Sequence, residues 1–197
     1  MKVILPIYLF PPIEYLQILQ KADEVLICAG EYFKKQTYHN RFEIATANGK
    51  HRLTVPVEGS KNHRNLSTMQ IYYKENWPQI HQKTIASAYK NSPYFDYFES
   101  DLKEILFSRY GTLIELSLCS LKFLEKGFKT KFHFTIQKDY IANYSAEWND
   151  LRAYVFDGTI SPPPTYLQPF SDRTGFIPNL SGLDLLFCSG PNSLKTT

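Results

Sequence analysis

Residues 31–57 concentrate side chains that bind anions and hydroxyl groups. A loop with only a structural role is usually built from Gly, Pro, Asn, Asp or Ser. The first part of this segment is instead rich in basic, aromatic and amide side chains: Tyr32, Lys34, Lys35, Tyr38, His39, Asn40 and Arg41. Arg41 offers a planar fork for a carboxylate or phosphate, Lys34 offers a point charge, and Asn40 can bind a hydroxyl group. These residue types predict a binding site for an anionic, polar ligand.

A nucleotide-linked sugar carries a diphosphate and several hydroxyl groups, so this ligand class fits the predicted site. The predicted binding residues are Tyr8, Glu31, Lys34, Tyr38, His39, Asn40 and Arg41. Tyr8 is included because ligands of α/β proteins collect beyond the carboxyl ends of parallel strands, and the first predicted strand ends near it. A structural alternative remains open, in which Arg41 pairs with Glu31 or Glu43 and only fixes the segment to the next hairpin.

Two further residues are candidates for catalysis. His81 shares a predicted helical face with Ile85 and Ala88, so its imidazole is expected at the edge of a buried stripe, where a general base can act. A histidine in that position more often only hydrogen-bonds to a neighbour. Asp184 lies in a short apolar helix that Ser181 can cap. Its carboxylate either faces a cleft as a catalytic group or serves capping and solvation.

The periodicity of the chain predicts its main elements. Residues 3–9 and 24–29 are short and apolar, and residues 13–20 between them have helical spacing, which is typical of a βαβ unit. Residues 41–57 alternate around Asn48-Gly49, which predicts a hairpin turn with both residues at positive φ. From residue 76 the period becomes helical, with buried positions expected at Ile80, Thr84 and Ala88 and exposed ones at Lys83 and Lys90. We predict an α/β fold with a mixed sheet, an N-terminal βαβ unit, an inserted β-hairpin and a helical middle.

Composition excludes several classes of protein. The 22 basic and 19 acidic residues are interspersed, so the concentrated basic stripe of a nucleic-acid-binding surface is missing. The three cysteines include no CxxC pair, which argues against a disulfide framework. No apolar stretch approaches the ~20 residues of a spanning helix, and prolines interrupt the apolar N-terminus, so a cytoplasmic location is expected. Glycine-rich nucleotide loops, a GxSxG elbow and metal-ligand spacings of His are also missing. We expect no metal site, and the cofactor is unknown.

Four unusual strings occur along the chain: LPIYLFPPIEY, then EYFKKQTYHNRFEI with the NG turn and LTVPV, then IHQKTIASAYKNSPYFDYF, and finally NLSGLDLLFCSGP. With these strings in this order, nearly the whole chain resembles the WbqC-like protein family of bacteria. Members are typically found among genes for O-antigen and other surface-polysaccharide synthesis, which implies a role in modifying or assembling a sugar. His39 stands where members usually have Arg, and Cys188-Ser189 stand where Asn and a varied residue are common. Because a histidine is mostly uncharged near pH 7, His39 in place of Arg implies weaker anion binding at that pH.

We expect a single domain over residues 1–197, with an irregular Pro-rich segment at 161–180 and a mobile tail at 193–197. The first functional hypothesis is a cytoplasmic enzyme that transfers a group to an amino or hydroxyl group of a nucleotide-linked sugar. The charges, amides and rings before the hairpin favour it. The second is a non-catalytic protein that binds a sugar intermediate or a pathway enzyme, favoured by the lack of a complete catalytic constellation. The oligomeric state is open.

Overall fold

The chain alternates short strands with helices, and the computed structural model describes residues 1–59 and 64–195. The strands are β1 (Lys2–Pro6), β2 (Glu24–Cys28), β3 (Arg41–Thr46), β4 (Gly49–Thr54), β5 (Thr135–Gln137) and β6 (Trp148–Asp150). The helices are α1 (Ile13–Lys21), α2 (Trp77–Tyr89), α3 (Phe95–Phe107), α4 (Leu113–Gly127), α5 (Ser171–Thr174) and α6 (Gly182–Ser189). The predicted α/β fold, with its βαβ start, hairpin and helical middle, is confirmed.

Among the described residues, the larger sheet has the strand order β5–β2–β1–β6, and all of its pairs are parallel. β1 and β2 pair from Lys2 opposite Glu24 to Pro6 opposite Cys28, and α1 connects them as the βαβ pattern requires. β6 was not predicted, because a strand of three residues is too short to show a period. Since these strands run the same way, the loops after β1, β2 and β6 meet at one edge of the sheet.

The hairpin is a separate antiparallel pair, β3 with β4, and its turn differs from the prediction. Gly49 has φ of +92°, but Asn48 is not at positive φ. The reason is that the ladder closes with Thr46 opposite Gly49, which makes Ala47 and Asn48 the turn residues. The Thr46 hydroxyl accepts from the Asn48 amide (3.3 Å) and donates to the Gly49 carbonyl (2.8 Å). Gly49 therefore takes the positive-φ position directly after the two turn residues, which glycine adopts without strain.

Replacing Gly49 by Val is expected to lower the free energy of unfolding by about 1–3 kcal/mol, the usual cost of a strained backbone residue. No atom lies within 4 Å of where a Cβ would be, so the cost comes from the positive φ and not from a clash. Asn48→Val is the matched control, because that position has no positive φ. Urea denaturation of both variants measures the difference. Equal stability of the two would contradict the turn geometry.

Side chains cap α4 and α6 at their first turns, and α2 buries one face. Thr112 and Glu115 form a capping box at the start of α4. In α2 the predicted exposure of Lys83 and Lys90 and the burial of Ala88 are confirmed, whereas Ile80 is 58% exposed. Thr84 is only half-buried. The prediction was wrong at these two positions because the buried stripe of α2 runs through other residues, namely Trp77, His81, Ile85, Ala88 and Tyr89.

One buried apolar cluster joins the sheet, the hairpin and the helices, and it extends from Val3 to Leu194. Leu194 lies in the segment predicted as a tail and is fully buried, and the next residue, Lys195, donates from Nζ to the carbonyl of Lys129 (2.7 Å). Thr196 and Thr197 lie outside the described residues. The Pro-rich segment at 161–180 contains the short helix α5. The core therefore receives residues from both ends of the described chain.

Candidate functional site

A cavity of about 440 Å³, which we call the hairpin cleft, opens beside β3 and β4. It is lined by Gln36, Thr37, Tyr38, Arg41, Glu43, Lys50, Arg52, Val155, Phe156, Asp157, Ile177, Pro178 and Asn179. Side chains two positions apart in a strand share a face. This alternation brings Arg41 and Glu43 of β3 to the same wall as Lys50 and Arg52 of β4.

Glu43 organises the basic wall of the cleft. Its buried carboxylate accepts from Arg52 Nε (3.1 Å) and Nη2 (2.7 Å), from the Tyr38 hydroxyl (3.1 Å), and pairs with Lys50 Nζ (3.1 Å). Burial alone would raise the pKa of Glu43, but the hydrogen bonds from Arg52 and Lys50 outweigh it and hold the pKa below its ordinary value. The charges of Lys50 and Arg52 are thus partly neutralised, and both side chains are fixed at the wall.

Arg41 is the cation of the cleft that the fold leaves unused. Within residues 1–59 and 64–195 its side chain has no hydrogen bond or ion pair, and its Nε is buried without a partner. The carboxylates that could have bound it are engaged elsewhere, Glu43 with Arg52 and Glu31 with Arg152. Leaving a buried donor unsatisfied costs about 1–3 kcal/mol. The Nη groups are not buried and also have no partner among the described residues, so an anion in the cleft could bind the guanidinium through them.

The floor and the far wall of the cleft are largely apolar. The Tyr38 ring packs on Tyr8, with centroids 5.5 Å apart, and Tyr8 meets Phe156 edge to face at 5.6 Å. Asn179 has φ of +53°, and its Nδ2 donates to the carbonyl of Phe156 (2.8 Å). This bond ties the loop at 177–179 to the loop at 155–157. The cleft thus faces a ligand with cations on one side and, on the other, with rings and aliphatic groups beside the polar side chains of Asp157 and Asn179.

The binding residues predicted from the sequence include only part of this lining. Tyr38 and Arg41 were predicted, and both line the cleft. Lys50 and Arg52 were missed although the alternation of the hairpin carries the signal, since they share the face of Arg41. The far wall was also missed, and no local pattern marks it: Val155, Phe156, Asp157, Ile177, Pro178 and Asn179.

His39 and Asn40 point into the protein and hold the segment before β3. The Nδ1 of His39 accepts from the Lys34 amide (3.3 Å), and burial lowers the pKa of His39 to about 4. Its imidazole is therefore neutral at neutral pH. Asn40 is buried, and its Nδ2 donates to the carbonyl of Val55 (2.8 Å), while its Oδ1 is buried without a partner among the described residues.

Tyr8, Glu31 and Lys34 lie near the carboxyl ends of the parallel strands and not in the lining of the cleft. Burial raises the pKa of Tyr8, and the nearby Glu31 carboxylate raises it further. Burial also raises the pKa of Glu31, against the opposing effects of Arg152 and of the exposed Lys34. Tyr8 still contributes to the cleft indirectly, because its ring supports Tyr38 and Phe156 from behind.

Arg152 connects the loops at this edge of the sheet. Its guanidinium binds Asp150 through two nitrogens (Nε–Oδ1 2.9 Å, Nη2–Oδ2 2.6 Å) and donates from Nη1 to Glu31 Oε1 (2.9 Å). The same side chain donates to the carbonyls of Ile141 (2.8 Å) and Ala142 (3.1 Å). Glu31 Oε2 is buried without a hydrogen-bond partner among the described residues. The cluster holds β6 to the loops that follow β2 and β5.

His81 lies in the core between α2 and the hairpin. Its Nε2 is 3.1 Å from the carbonyl of Thr54, which makes this nitrogen the donor, and its ring packs on Trp77 and Phe42 at 5.2 and 5.7 Å. Burial lowers the pKa of His81 to about 4. Nδ1 has no partner among the described residues. The imidazole does not line the hairpin cleft.

Asp184 is fully buried and joins α6 to two distant segments. It accepts from the hydroxyls of Tyr89 and Tyr166 and from Gln168 Nε2 (2.8 Å). Burial raises the pKa of Asp184, although these hydrogen bonds oppose the rise. The helix cap belongs to Ser181, whose hydroxyl accepts from the Leu183 amide. Asp184 also lies outside the lining of the cleft. Its observed contacts are hydrogen bonds that connect α6 to Tyr89 and to the segment at 166–168.

Residues 1–59 and 64–195 contain neither a metal-binding cluster nor a membrane-spanning helix. No group of three or more His, Cys, Asp or Glu side chains there could hold a metal ion. In the same residues, none of the helices combines the length and apolar character that crossing a membrane requires.

These features define an α/β protein with a basic and aromatic cleft in which one arginine is unpaired among the described residues. The sequence model of the WbqC-like protein family matches residues 7–156, and the chain therefore belongs to this family. Comparison with curated proteins and with solved structures found no match. The matched residues contain the whole hairpin wall of the cleft and end one residue before Asp157.

Proposed function

We propose that this protein binds a nucleotide-linked sugar in the hairpin cleft and transfers a group to that sugar in bacterial surface-polysaccharide biosynthesis of the O-antigen type. The observation that carries the proposal is the guanidinium of Arg41 in the cleft, which has no partner among residues 1–59 and 64–195. The proposed location is the cytoplasm, where nucleotide-linked sugars are available. The resemblance to proteins encoded among polysaccharide genes supports the pathway assignment.

The cleft suits such a ligand in size and in chemistry. Its volume of about 440 Å³ is within the range of about 300–1,000 Å³ that is usual for small-molecule sites. Arg41 can bind a phosphate with two parallel hydrogen bonds. Lys50 and Arg52 reinforce the positive potential, and the half-buried ring of Tyr38 offers a surface for a base or a sugar.

The proposed reaction is a nucleophilic substitution at an activated donor. An oxygen or nitrogen of the sugar forms a bond to the transferred group, while the bond between that group and its carrier breaks. The carrier keeps the bonding electron pair, and the proton of the nucleophile passes to solvent. The chain would contribute binding and orientation, which alone supply a large part of a catalytic rate enhancement.

The alternative is a non-catalytic protein that binds a sugar intermediate or an enzyme of the same pathway. It is favoured by one observation about the cleft. Glu43, the buried carboxylate of its basic wall, already accepts from Tyr38, Lys50 and Arg52, and neither His81 nor Asp184 lines the cleft. Incubation with UDP-glucose and a panel of activated acyl donors, followed by mass spectrometry, separates the two. A new sugar mass indicates transfer, and unchanged mass with intact binding indicates the alternative.

Arg41→Lys is expected to weaken binding of UDP-glucose about tenfold, the equivalent of about 1.4 kcal/mol. Lysine keeps the charge but loses the fork that binds a phosphate with two hydrogen bonds. The melting temperature is expected to change little, because the side chain of Arg41 makes no hydrogen bond or ion pair within the described residues. Isothermal titration calorimetry measures the affinity, and thermal melting measures the stability.

Arg109→Lys is the matched control, since Arg109 packs over the Tyr73 ring and lies outside the hairpin cleft. It should bind UDP-glucose like the wild type. An Arg41→Lys protein that unfolds at lower temperature but binds normally when folded would show that Arg41 has a structural role. The site would then have to be sought elsewhere.

A further inference from the structure

The far wall of the hairpin cleft carries an exposed carboxylate, Asp157. Its Oδ1 accepts from the Thr159 amide (3.0 Å), from the Thr159 hydroxyl and from the Tyr154 hydroxyl (3.0 Å). These bonds from other described residues all go to Oδ1, so Oδ2 is left for a ligand. The hydrogen bonds from Thr159 and Tyr154 also hold the pKa of Asp157 below its ordinary value.

Asp157 is held in place by the loop that follows it. The buried carboxylate of Glu14 accepts from the amides of Gly158 (2.8 Å) and Ile160 (2.8 Å), and its Oε1 lies 2.9 Å from the Tyr154 hydroxyl, whose single proton Glu14 and Asp157 share. Gly158 has φ of +93°, a conformation that favours glycine. Because these contacts fix the backbone on the C-terminal side of Asp157, the carboxylate is positioned before any ligand arrives.

We infer that the ligand of the hairpin cleft carries an ammonium group as well as an anion, and that its substrate class is a nucleotide-linked amino sugar. This inference rests on the proposed function and adds the group that Asp157 recognises. Arg41 binds the phosphate on one wall, and Asp157 binds the sugar ammonium on the other.

The charges of the cleft lining favour a ligand that carries both a negative and a positive charge. A purely anionic ligand would be attracted by Arg41 and by Lys50 and Arg52, which share the one carboxylate of Glu43, but it would be repelled by the carboxylate of Asp157 in the same lining. A sugar hydroxyl could donate a hydrogen bond to Oδ2 but would leave this repulsion in place. An ammonium group compensates the carboxylate and still leaves Arg41 for the phosphate. Complementary charges of this kind mainly determine specificity.

The test compares pairs of ligands that differ only in an amino or hydroxyl group. The first pair is UDP-glucosamine and UDP-glucose, and the second is dTDP-linked fucose and its counterpart with an amino group at C4. In calorimetry, the wild type is expected to bind at least one amino sugar about fivefold more tightly than its hydroxyl partner, the upper range for an ion pair open to solvent. Asp157→Asn keeps the Oδ1 acceptor but removes the charge, so this preference should disappear. Asp139 is exposed and lies outside the cleft, so the control variant Asp139→Asn should retain the preference for the amino sugar.

The outcomes separate this inference from the proposed function. If all four sugar nucleotides bind through Arg41 but neither pair shows a preference, the amino-sugar inference is wrong and the proposed function stands. If none of them binds, both are wrong. Glycine also combines an ammonium with an anion, so it is titrated as a separate ligand. Binding of glycine that depends on Asp157, without binding of the sugar nucleotides, would identify an amino-acid site and overturn the inference.

Discussion

Acidification from about pH 8 to about pH 5 is expected to lower the free energy of unfolding by about 4 kcal/mol through His39 and His81, at about 2 kcal/mol for each imidazole. Burial lowers the pKa of each side chain to about 4, whereas a histidine of an unfolded chain titrates near 6.5. The folded state therefore favours the neutral rings. Their contribution to stability is complete above about pH 6.5 and is lost as the pH falls towards 4. Urea denaturation at a series of pH values measures it.

A histidine variant isolates this effect from other titrating groups. Glu31 and Asp184 have raised pKa values, so their protonation acts in the opposite direction as the pH falls. For His81→Gln, the difference in unfolding free energy from the wild type is expected to narrow by about 2 kcal/mol between pH 8 and pH 5. The exposed His133 supplies the control, His133→Gln, which should leave the pH dependence unchanged. A constant difference for His81→Gln would contradict a buried neutral ring.

The state of His39 also bears on the ligand. A charged imidazole at this position would itself be able to bind an anion. Its pKa of about 4 means that it stays neutral through the physiological range. We therefore expect no strengthening of ligand binding near pH 6.5 from His39. In the proposed function, the anion is therefore bound by Arg41, two positions further along the chain.

The periodic elements were predictable because a buried face imposes a spacing on the sequence. β1, α1 and β2 follow from two apolar runs around a helical stripe, and the hairpin follows from alternation on both sides of a turn. The geometry of that turn was not predictable from Asn48-Gly49 alone. It depends on where the ladder closes, and the hydroxyl of Thr46 favours closing it at Gly49.

The cleft was predictable only on the side that is local in sequence. Tyr38 and Arg41 lie next to the hairpin, but the far wall comes from residues 155–157 and 177–179, more than 100 positions away. The residue types also do not show whether a side chain points into the cleft or into the protein. His39 and Asn40 are typical of ligand sites, yet here they bond to the backbone at Lys34 and Val55. Whether a polar side chain points inward depends on distant partners that one sequence does not identify.

Replacing Arg152 by Met is expected to lower the free energy of unfolding by about 3–5 kcal/mol, the range for removing one partner of a buried ion pair. Methionine keeps much of the aliphatic volume but leaves the buried Glu31 carboxylate without its cation. The carbonyls of Ile141 and Ala142 lose their donor as well. Urea denaturation at neutral pH measures the loss.

The pH dependence of this variant identifies which lost contact matters. Arg152 lowers the pKa of Glu31 and burial raises it, so without Arg152 the pKa of Glu31 rises further. The pKa of Glu31 is higher in the folded protein than its ordinary value of 4.5 in an unfolded chain. The contribution of Glu31 to stability is therefore complete below pH 4.5 and is lost as the pH rises through the pKa of the folded state. The cost of Arg152→Met should therefore grow from acid to neutral pH, and adding Glu31→Gln should recover part of it at neutral pH. If the double variant is as unstable as Arg152→Met at every pH, the cost comes from the lost bonds to Asp150 and to the loop carbonyls. Arg152 would then stabilise the protein by connecting the loops at the edge of the sheet and not by neutralising a buried charge.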